Sequence, residues 1–394
     1  MLQSKLSFKA IEGHKKYLGL PTYLGSSKKH IFSIIQDKVW KKLKRWKGGY
    51  LSQAGQEILI KSIAHAIPTY AMECFILPSS ILKEIEKMCL NFFCSQRNNE
   101  HKTAWVAWEK LNFSKRDGGL GMRDLSVFNK AMLAKQVCRL LNKPNSLMSK
   151  TLKQKYFPNC ELMEAKVNTN VSYTWRSLMS ARGVIARGAR KLVGNGNTVE
   201  IWKDPWVPNL PNFKALQRLH LPDDAPKLVA ELFCNGEWDQ DRLREHFSAW
   251  EVREILKIPV AHQGVEDGWT WHFTKNGEFS VRSASCLLEE TTGPTTLTIP
   301  NKTTWSLLWY ARVPPKIKHF GWRSLHNGLP VCYNLKRRGI CSSDVCPVRG
   351  EFSESSAHAL IFCIHAKNVW YLSPLRLAAE RIISFLSLTG AILY

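Results

Sequence analysis

Apolar residues return at helical spacing through most of the first 190 residues, and this periodicity narrows the choice of folds more than any other feature of the chain. Ile31, Ile35, Val39, Leu43 and Trp46 fall on one stripe, with Lys38, Lys41, Lys42 and Arg45 elsewhere around the wheel. Gly48-Gly49 closes that helix. A second helix is predicted over 52–66, ending before Pro68. A third follows Pro78, with Ser79 or Ser80 as its N-cap and Ile81, Ile85, Met88, Cys89 and Phe92 repeating along it. A fourth runs from about Ser126 to Leu141, turns Leu133, Val137 and Leu140 inward, and stops before Pro144.

The pattern then changes. Arg190–Val193 and Thr198–Trp202 flank Gly194-Asn195-Gly196-Asn197, which predicts a hairpin. Trp269–Phe273 and Phe279–Val281 flank Asn276-Gly277 and predict a second. Pro315 can open a later helix at its first position, with Ile317, Phe320, Ser324 and Leu325 inward. The expected class is mainly α with small β-hairpins (α+β): a helical basic module, then a small helical zinc-binding-like domain. The expected boundaries are 1–210 for the basic module, 211–278 for a connecting region with a hairpin, 279–372 for the small domain and 373–394 for a tail.

Charge narrows the choice of partner. Lys and Arg number 56 against 32 Asp and Glu, a net +24. Residues 1–50 hold 12 Lys and Arg against Glu12 and Asp37 alone. Residues 1–200 are net +21, 201–300 are acidic, and the sign turns positive again after 300. An imbalance of this size points to a polyanion. The N-terminal residues lack the apolar core of a secretory signal. The apolar run Ile382–Tyr394 is shorter than the roughly 20 residues of a membrane span. Scattered cysteines, 11 in number, fit reduced thiols. The expected location is the nucleus or cytoplasm, without secretion and without a membrane partner.

Several chemistries are excluded. There is no Gly-x-x-x-x-Gly-Lys-Ser/Thr loop and no Gly-x-Ser-x-Gly elbow. Gly118-Gly119-Leu120-Gly121 follows the polar Ser114-Lys115-Arg116-Asp117, not an apolar strand, and reads as a turn. Asp223-Asp224 lies between prolines, not on the rigid frame a two-metal site needs. His319 and His326, seven apart after Pro315, read as core or surface histidines.

One cluster has metal character. Zinc takes four thiolate or imidazole donors in a tetrahedron. Cys346, His358 and Cys363 fit three of the places: one in a short loop, and a His and a Cys five apart in a following helix. Arg349 occupies the fourth, three residues after Cys346, where a guanidinium cannot ligate. Cys341 or His365 could substitute at other spacings, and the bland alternative is a degenerate site held by its apolar core. For nucleic acid, the candidate contacts are Lys38, Lys41, Lys42, Lys44, Arg45 and Lys47, with Trp40 and Trp46 interleaved, and then Arg187, Arg190 and Lys191. The bland alternative there is a solvated basic face.

Longer blocks carry a resemblance. Tyr17-Leu18-Gly19-Leu20-Pro21, Leu51-Ser52-Gln53-Ala54-Gly55, Ile67-Pro68-Thr69-Tyr70-Ala71-Met72, Phe128-Asn129-Lys130-Ala131 and Trp202-Lys203-Asp204-Pro205-Trp206 resemble plant non-LTR (LINE-type) retrotransposon reverse transcriptases. Phe279-Ser280-Val281, Pro314-Pro315-Lys316-Ile317-Lys318-His319-Phe320, Cys346-Pro347, His358, Cys363 and Trp370 are similar to that family's zinc-binding domain. The resemblance implies RNA-directed DNA synthesis as the parent activity and RNA or DNA as partner. It also implies that the family's Ala-Asp-Asp palm lies before the Tyr-Leu-Gly-Leu-Pro block, where residues 1–16 cannot hold it. The expectation is a truncated element that binds nucleic acid without polymerase catalysis. The alternatives are a piece of an active polymerase and an inert pseudogene product.

Overall fold

The computed structural model describes residues 16–17, 20–21, 27–46, 51–94, 104–216, 225–260, 265–290, 302–374, 376 and 378. The chain is mainly helical, with few and short strands. It divides into two compact units that interleave along the sequence. The first holds Met1–Pro68, Pro78–Leu125 and Pro294–Tyr394; the second holds Thr69–Leu77 and Ser126–Gly293.

In the first unit the Lys28–Trp46 helix packs on the Ser79–Cys94 helix. Phe32, Val39 and Leu43 are buried on one side, and Ile81, Ile85, Cys89 and Phe92 on the other. Ile31, Ile35 and Trp46 are only half-buried, so the apolar stripe is rotated slightly toward Phe32. The predicted 52–66 helix is an α-helix over Gln53–Leu59, capped by Ser52, continued by a wider π-turn over Ile60–Ala64. Gly118–Gly121 is a turn: the Gly119 and Gly121 amides donate to the Ser114 and Phe113 carbonyls. A Cβ on Gly119 would fall 1.9 Å from the Phe113 oxygen, so only glycine allows this approach.

The Pro315–Leu325 helix begins at its proline as expected, but its inner face differs. His319, Trp322 and Ser324 are buried, while Ile317 and Phe320 are exposed. Polar partners decide this orientation. The Trp322 indole and His326 Nε2 meet the Gly118 carbonyl at 2.7 and 2.6 Å, and His319 Nε2 lies 3.1 Å from Glu57 Oε2.

The second unit is built around the Leu125–Asn142, Tyr173–Ser180, Arg182–Gly188 and Val281–Glu290 helices. Trp175 and Trp271 are fully buried in their shared core. Buried Asn129 ties down the entry to this unit: its Oδ1 accepts the Leu77 amide, and its Nδ2 donates to the Met72 and Phe75 carbonyls. A second core gathers Val199, Trp206, Val229, Leu243 and Ile255.

Both predicted hairpins are corrected. Ala189–Leu192 pairs antiparallel with Gly268–Trp271, far along the chain, and not with residues 198–202. Local hairpins form instead at Lys16–Tyr17 with Leu20–Pro21, and at Phe233–Cys234 with Glu237–Trp238, where Asn235 and Gly236 both take positive φ. Phe279–Val281 leads into a helix, although the Trp271 amide still closes a turn onto the Gly277 carbonyl. The Gly194–Thr198 loop fails to form a hairpin turn because it wraps a carboxylate. Asp267 Oδ1 accepts the Gly194 and Gly196 amides at 2.7 and 2.9 Å, and Oδ2 accepts the Thr198 amide and hydroxyl at 2.8 and 2.9 Å. Burial raises the Asp267 carboxyl, but these donors outweigh it and hold the group below its usual range. Asp267→Ala should lower the stability of this unit by about 2 kcal/mol, since charge-assisted bonds of this kind are lost at a partly exposed site. Hydrogen exchange should speed up at Gly194, Gly196 and Thr198; unchanged exchange there would show that the loop holds its shape without the carboxylate.

Candidate metal centre

Cys346 sits at the start of a tight reversal. Its amide donates to the Phe352 carbonyl at 2.7 Å, and its carbonyl accepts the Gly350 amide at 2.8 Å, with Gly350 at φ 70°. The chain folds back so that the Glu354 amide reaches the Asp344 carbonyl. Glu354 is then used structurally: its carboxylate accepts the Cys332 amide at 2.8 Å and so caps the Cys332–Arg337 helix.

His358 and Cys363 come from a different local device. Five residues apart on an α-helix, they would lie roughly 140° apart around the axis. The segment His358–Phe362 is instead a π-turn, in which the Cys363 amide bonds the His358 carbonyl at 2.8 Å. The wider turn brings both side chains to one side. The Ser355 hydroxyl caps its start through the His358 amide.

The three donor atoms of Cys346, His358 and Cys363 all lie within 4.8 Å of one another. The two sulfurs are 3.9 Å apart. A tetrahedral zinc with Zn–S near 2.3 Å separates two sulfurs by about 3.8 Å. Both cysteines are buried, and His358 Nε2 is buried without a hydrogen-bond partner. An orphaned imidazole nitrogen beside two thiols is the arrangement a metal would satisfy. The donor set therefore fits zinc.

The alternative fourth donors stand elsewhere. The Cys341 thiol donates to the Ser343 and Cys332 carbonyls, and His365 is exposed on the next helix. Arg349 is exposed on the 347–350 turn. Phe362, beside Cys363, is 45% exposed, so it contributes little apolar cover to that thiol.

The basic candidates fall in both units. Lys38, Lys41, Lys42, Lys44 and Arg45 are exposed on the Lys28–Trp46 helix of the first unit, and Lys47 lies outside the described residues. Trp40 is 46% exposed among them, with Lys44 Nζ 4.8 Å from its ring. In the second unit the Arg187 Nε donates to the Gly183 carbonyl, Arg190 is half-buried, and Lys191 is buried with its ammonium 5.0 Å from the Trp269 ring. Asp223 and Asp224 also lie outside the described residues.

Two polar clusters escape a reading by spacing. Glu57, Lys61, Lys115 and His319 converge in the first unit. Arg338 also stacks on Trp105 there, and Arg323 and Arg338 both act electrostatically on the Cys94 thiol. Their members are far apart in sequence, and no short motif announces either one.

Comparison with known proteins gives the context. Residues 279–370 match the family described as zinc-binding in reverse transcriptase. The chain is 30% identical over 352 residues to an Arabidopsis thaliana protein named as a ribonuclease H protein, covering 87% of this chain and 56% of that one. It therefore spans about half the length of that relative. It is 43% identical over 143 residues to an uncharacterized mitochondrial protein of Arabidopsis thaliana, 36% of this chain and 93% of that protein. Among the described residues no helix is long and apolar enough to cross a membrane. On the match at 279–370, the nearly complete coverage of the mitochondrial relative and the Cys-His-Cys cluster, the chain belongs to the retroelement-related proteins that carry the zinc-binding domain of reverse transcriptases.

Proposed function

We propose that this chain is the nucleic-acid-binding portion of a plant LINE-type reverse transcriptase, the part that follows the polymerase palm. In this reading residues 1–210 are a basic helical region, 211–278 a connection, 279–372 the zinc-binding domain and 373–394 a tail. RNA or DNA is the partner, and the protein acts in the nucleus or cytoplasm. The observation that carries the reading is the outer face of the Lys28–Trp46 helix. Five cations project there, and among the described residues none of them pairs with a carboxylate. No acid stands in the first turn, and Lys44 and Arg45 occupy the last, where the helix dipole favours cations. Phosphates spaced along a strand are the natural counterions for such a face. Zinc, held by Cys346, His358 and Cys363, would cross-link the 346–350 turn to the π-turn and stiffen the C-terminal part of the first unit.

The test is salt-dependent binding. Affinity of the full chain for a labelled 20-nucleotide RNA should fall linearly on a log–log plot against salt, with a slope near −0.7 per neutralised phosphate. Replacing Lys41, Lys44 and Arg45 together by Glu should cost more than tenfold at 50 mM salt and flatten the slope. A flat plot for the parent chain would overturn the reading and leave the basic face as a solvated surface.

A further inference from the structure

In the first unit, three segments outside the Lys28–Trp46 helix supply a further set of cationic and aromatic groups. Arg338 follows the Cys332–Arg337 helix and is exposed. Its guanidinium carbon lies 4.9 Å from the Trp105 ring centroid, and one nitrogen donates to the Trp105 carbonyl at 3.4 Å. Arg323 comes from the Pro315–Leu325 helix. Its Nε is buried and has no hydrogen-bond partner. The turn after that helix rests on the Trp105–Val106 segment: a Cβ on Gly328 would lie 3.0 Å from Val106 Cγ2 and 3.5 Å from Trp105 Cβ. Packing thus sets the turn after the Pro315–Leu325 helix against Trp105.

Among the described residues no carboxylate pairs with these cations. Neither arginine is in an ion pair among the described residues, and both guanidiniums act electrostatically on the Cys94 thiol. Burial pushes that thiol up to about 11, against the pull of the two guanidiniums, so it stays neutral. Burial also lowers Arg323 from its ordinary value. A half-buried guanidinium whose buried Nε finds no acceptor among the described residues is costly unless a ligand supplies one. Arginine offers a planar fork suited to phosphate, and a guanidinium stacked on an indole presents a flat face to a base. Duplexes keep their base faces covered, whereas a single strand exposes them.

We propose that Trp105, Arg323 and Arg338 form a second contact for single-stranded nucleic acid, in which the Trp105–Arg338 stack receives a base and Arg323 donates to a neighbouring phosphate. This rests on the nucleic-acid reading above and adds a site and a strand preference to it.

The experiment uses the full chain and a 12-nucleotide RNA carrying 4-thiouridine. Irradiation should cross-link the parent protein at the peptide containing Trp105. Arg338→Ala, at an exposed position, should weaken binding about tenfold and reduce the salt slope by about one phosphate. Trp105→Leu should weaken single-strand binding by about five- to a hundredfold, the range measured for losing one stacked base, and leave duplex binding little changed. Thermal melting checks that each variant folds. Cross-links confined to other peptides, or Arg338→Ala binding like the parent, would overturn the proposal while leaving the Lys28–Trp46 contact standing. Loss of binding in the Glu variants of that helix alone would overturn it in the same way. No binding by the parent chain overturns both readings. Loss in the Trp105 and Arg338 variants, with the helix variants unaffected, supports this site and removes the helix.

Discussion

Arg349→Cys should raise the affinity of this chain for zinc by at least about a hundredfold. The parent offers three donors, Cys346, His358 and Cys363, already within 4.8 Å of one another. Structural zinc sites with four ligands contribute apparent energies of about 10–16 kcal/mol, so one further thiolate is worth roughly 3 kcal/mol, or about two orders of magnitude. The geometry favours delivery from position 349. The turn is closed by the Gly350 amide on the Cys346 carbonyl, and Gly350 already holds the left-handed conformation that lets the chain reverse tightly. The substitution also removes a cation. Two unit charges 4 Å apart at an effective dielectric near 20 repel by about 4 kcal/mol, and a divalent ion doubles this. Arg349 is exposed and can swing away, so most of that repulsion is avoided and the thiolate dominates the gain.

Competition with a chromophoric chelator measures the affinity, and cobalt replacing zinc reports the ligand set. The variant should show the stronger sulfur-to-cobalt charge-transfer band of a third thiolate. Cys341→Ser should change neither, because that thiol is turned to the Ser343 and Cys332 carbonyls. Parent protein that already holds zinc as tightly as the Arg349→Cys variant would show that a fourth donor exists and that the site is not one ligand short.

The Cys-His-Cys cluster could be read from the sequence because it is nearly local. Cys346, His358 and Cys363 lie within 18 residues, and their chemistry marks them. Even so, spacing alone did not reveal the π-turn that makes His358 and Cys363 neighbours. Helix positions were legible for a related reason. Periodicity records which residues one face must bury, and the Ser79–Cys94 and Leu125–Asn142 helices follow it closely. The Pro315–Leu325 helix shows where that logic stops. Its start is set by proline, a local property, but its inner face is set by partners over 200 residues away, at Gly118 and Glu57.

Strand pairing failed for the same physical reason. The Gly-Asn-Gly-Asn run promises a local turn, yet its amides are taken by Asp267, about 70 residues on. Ala189–Leu192 then pairs with the strand that follows Asp267. By contrast, Asn235-Gly236 is a sound local hairpin signal that the sequence contains and that apolar runs do not mark. Its strands are only two residues long, too short for alternation to register.

Glu57→Gln should destabilise the first unit by about 2–3 kcal/mol, less than the cost of breaking a fully buried ion pair because Lys61 and Lys115 are partly exposed and screened by solvent. Glu57 is 5% exposed. Its Oε1 accepts Lys61 Nζ at 2.6 Å and Lys115 Nζ at 3.0 Å, and its Oε2 faces His319 Nε2 at 3.1 Å. His319 Nδ1 lies 2.8 Å from the Pro315 carbonyl. Both imidazole nitrogens thus sit within hydrogen-bond reach of an oxygen acceptor. One carboxylate therefore serves two ammonium groups and an imidazole. A glutamine keeps the shape, but it leaves Lys61 and Lys115 without this counterion and replaces one acceptor with a donor.

The pH dependence has a definite sign. Burial raises the Glu57 carboxyl, but the bonds from His319, Lys61 and Lys115 outweigh it and bring the group from 4.5 down to about 2. A folded-state value below the unfolded one means that the stabilisation is complete above about pH 4.5. It is lost as the pH falls toward 2, as the carboxylate takes up its proton. Urea unfolding at pH 7 should show the full difference between parent and Glu57→Gln. The two stability curves should converge as the pH falls from about 5 to 2, because the parent loses there what the variant never had. A Glu57→Gln protein within 1 kcal/mol of the parent at pH 7, or a gap that persists at pH 2, would mean that packing around Trp322 holds the Pro315–Leu325 helix in place and that the ion cluster only decorates it.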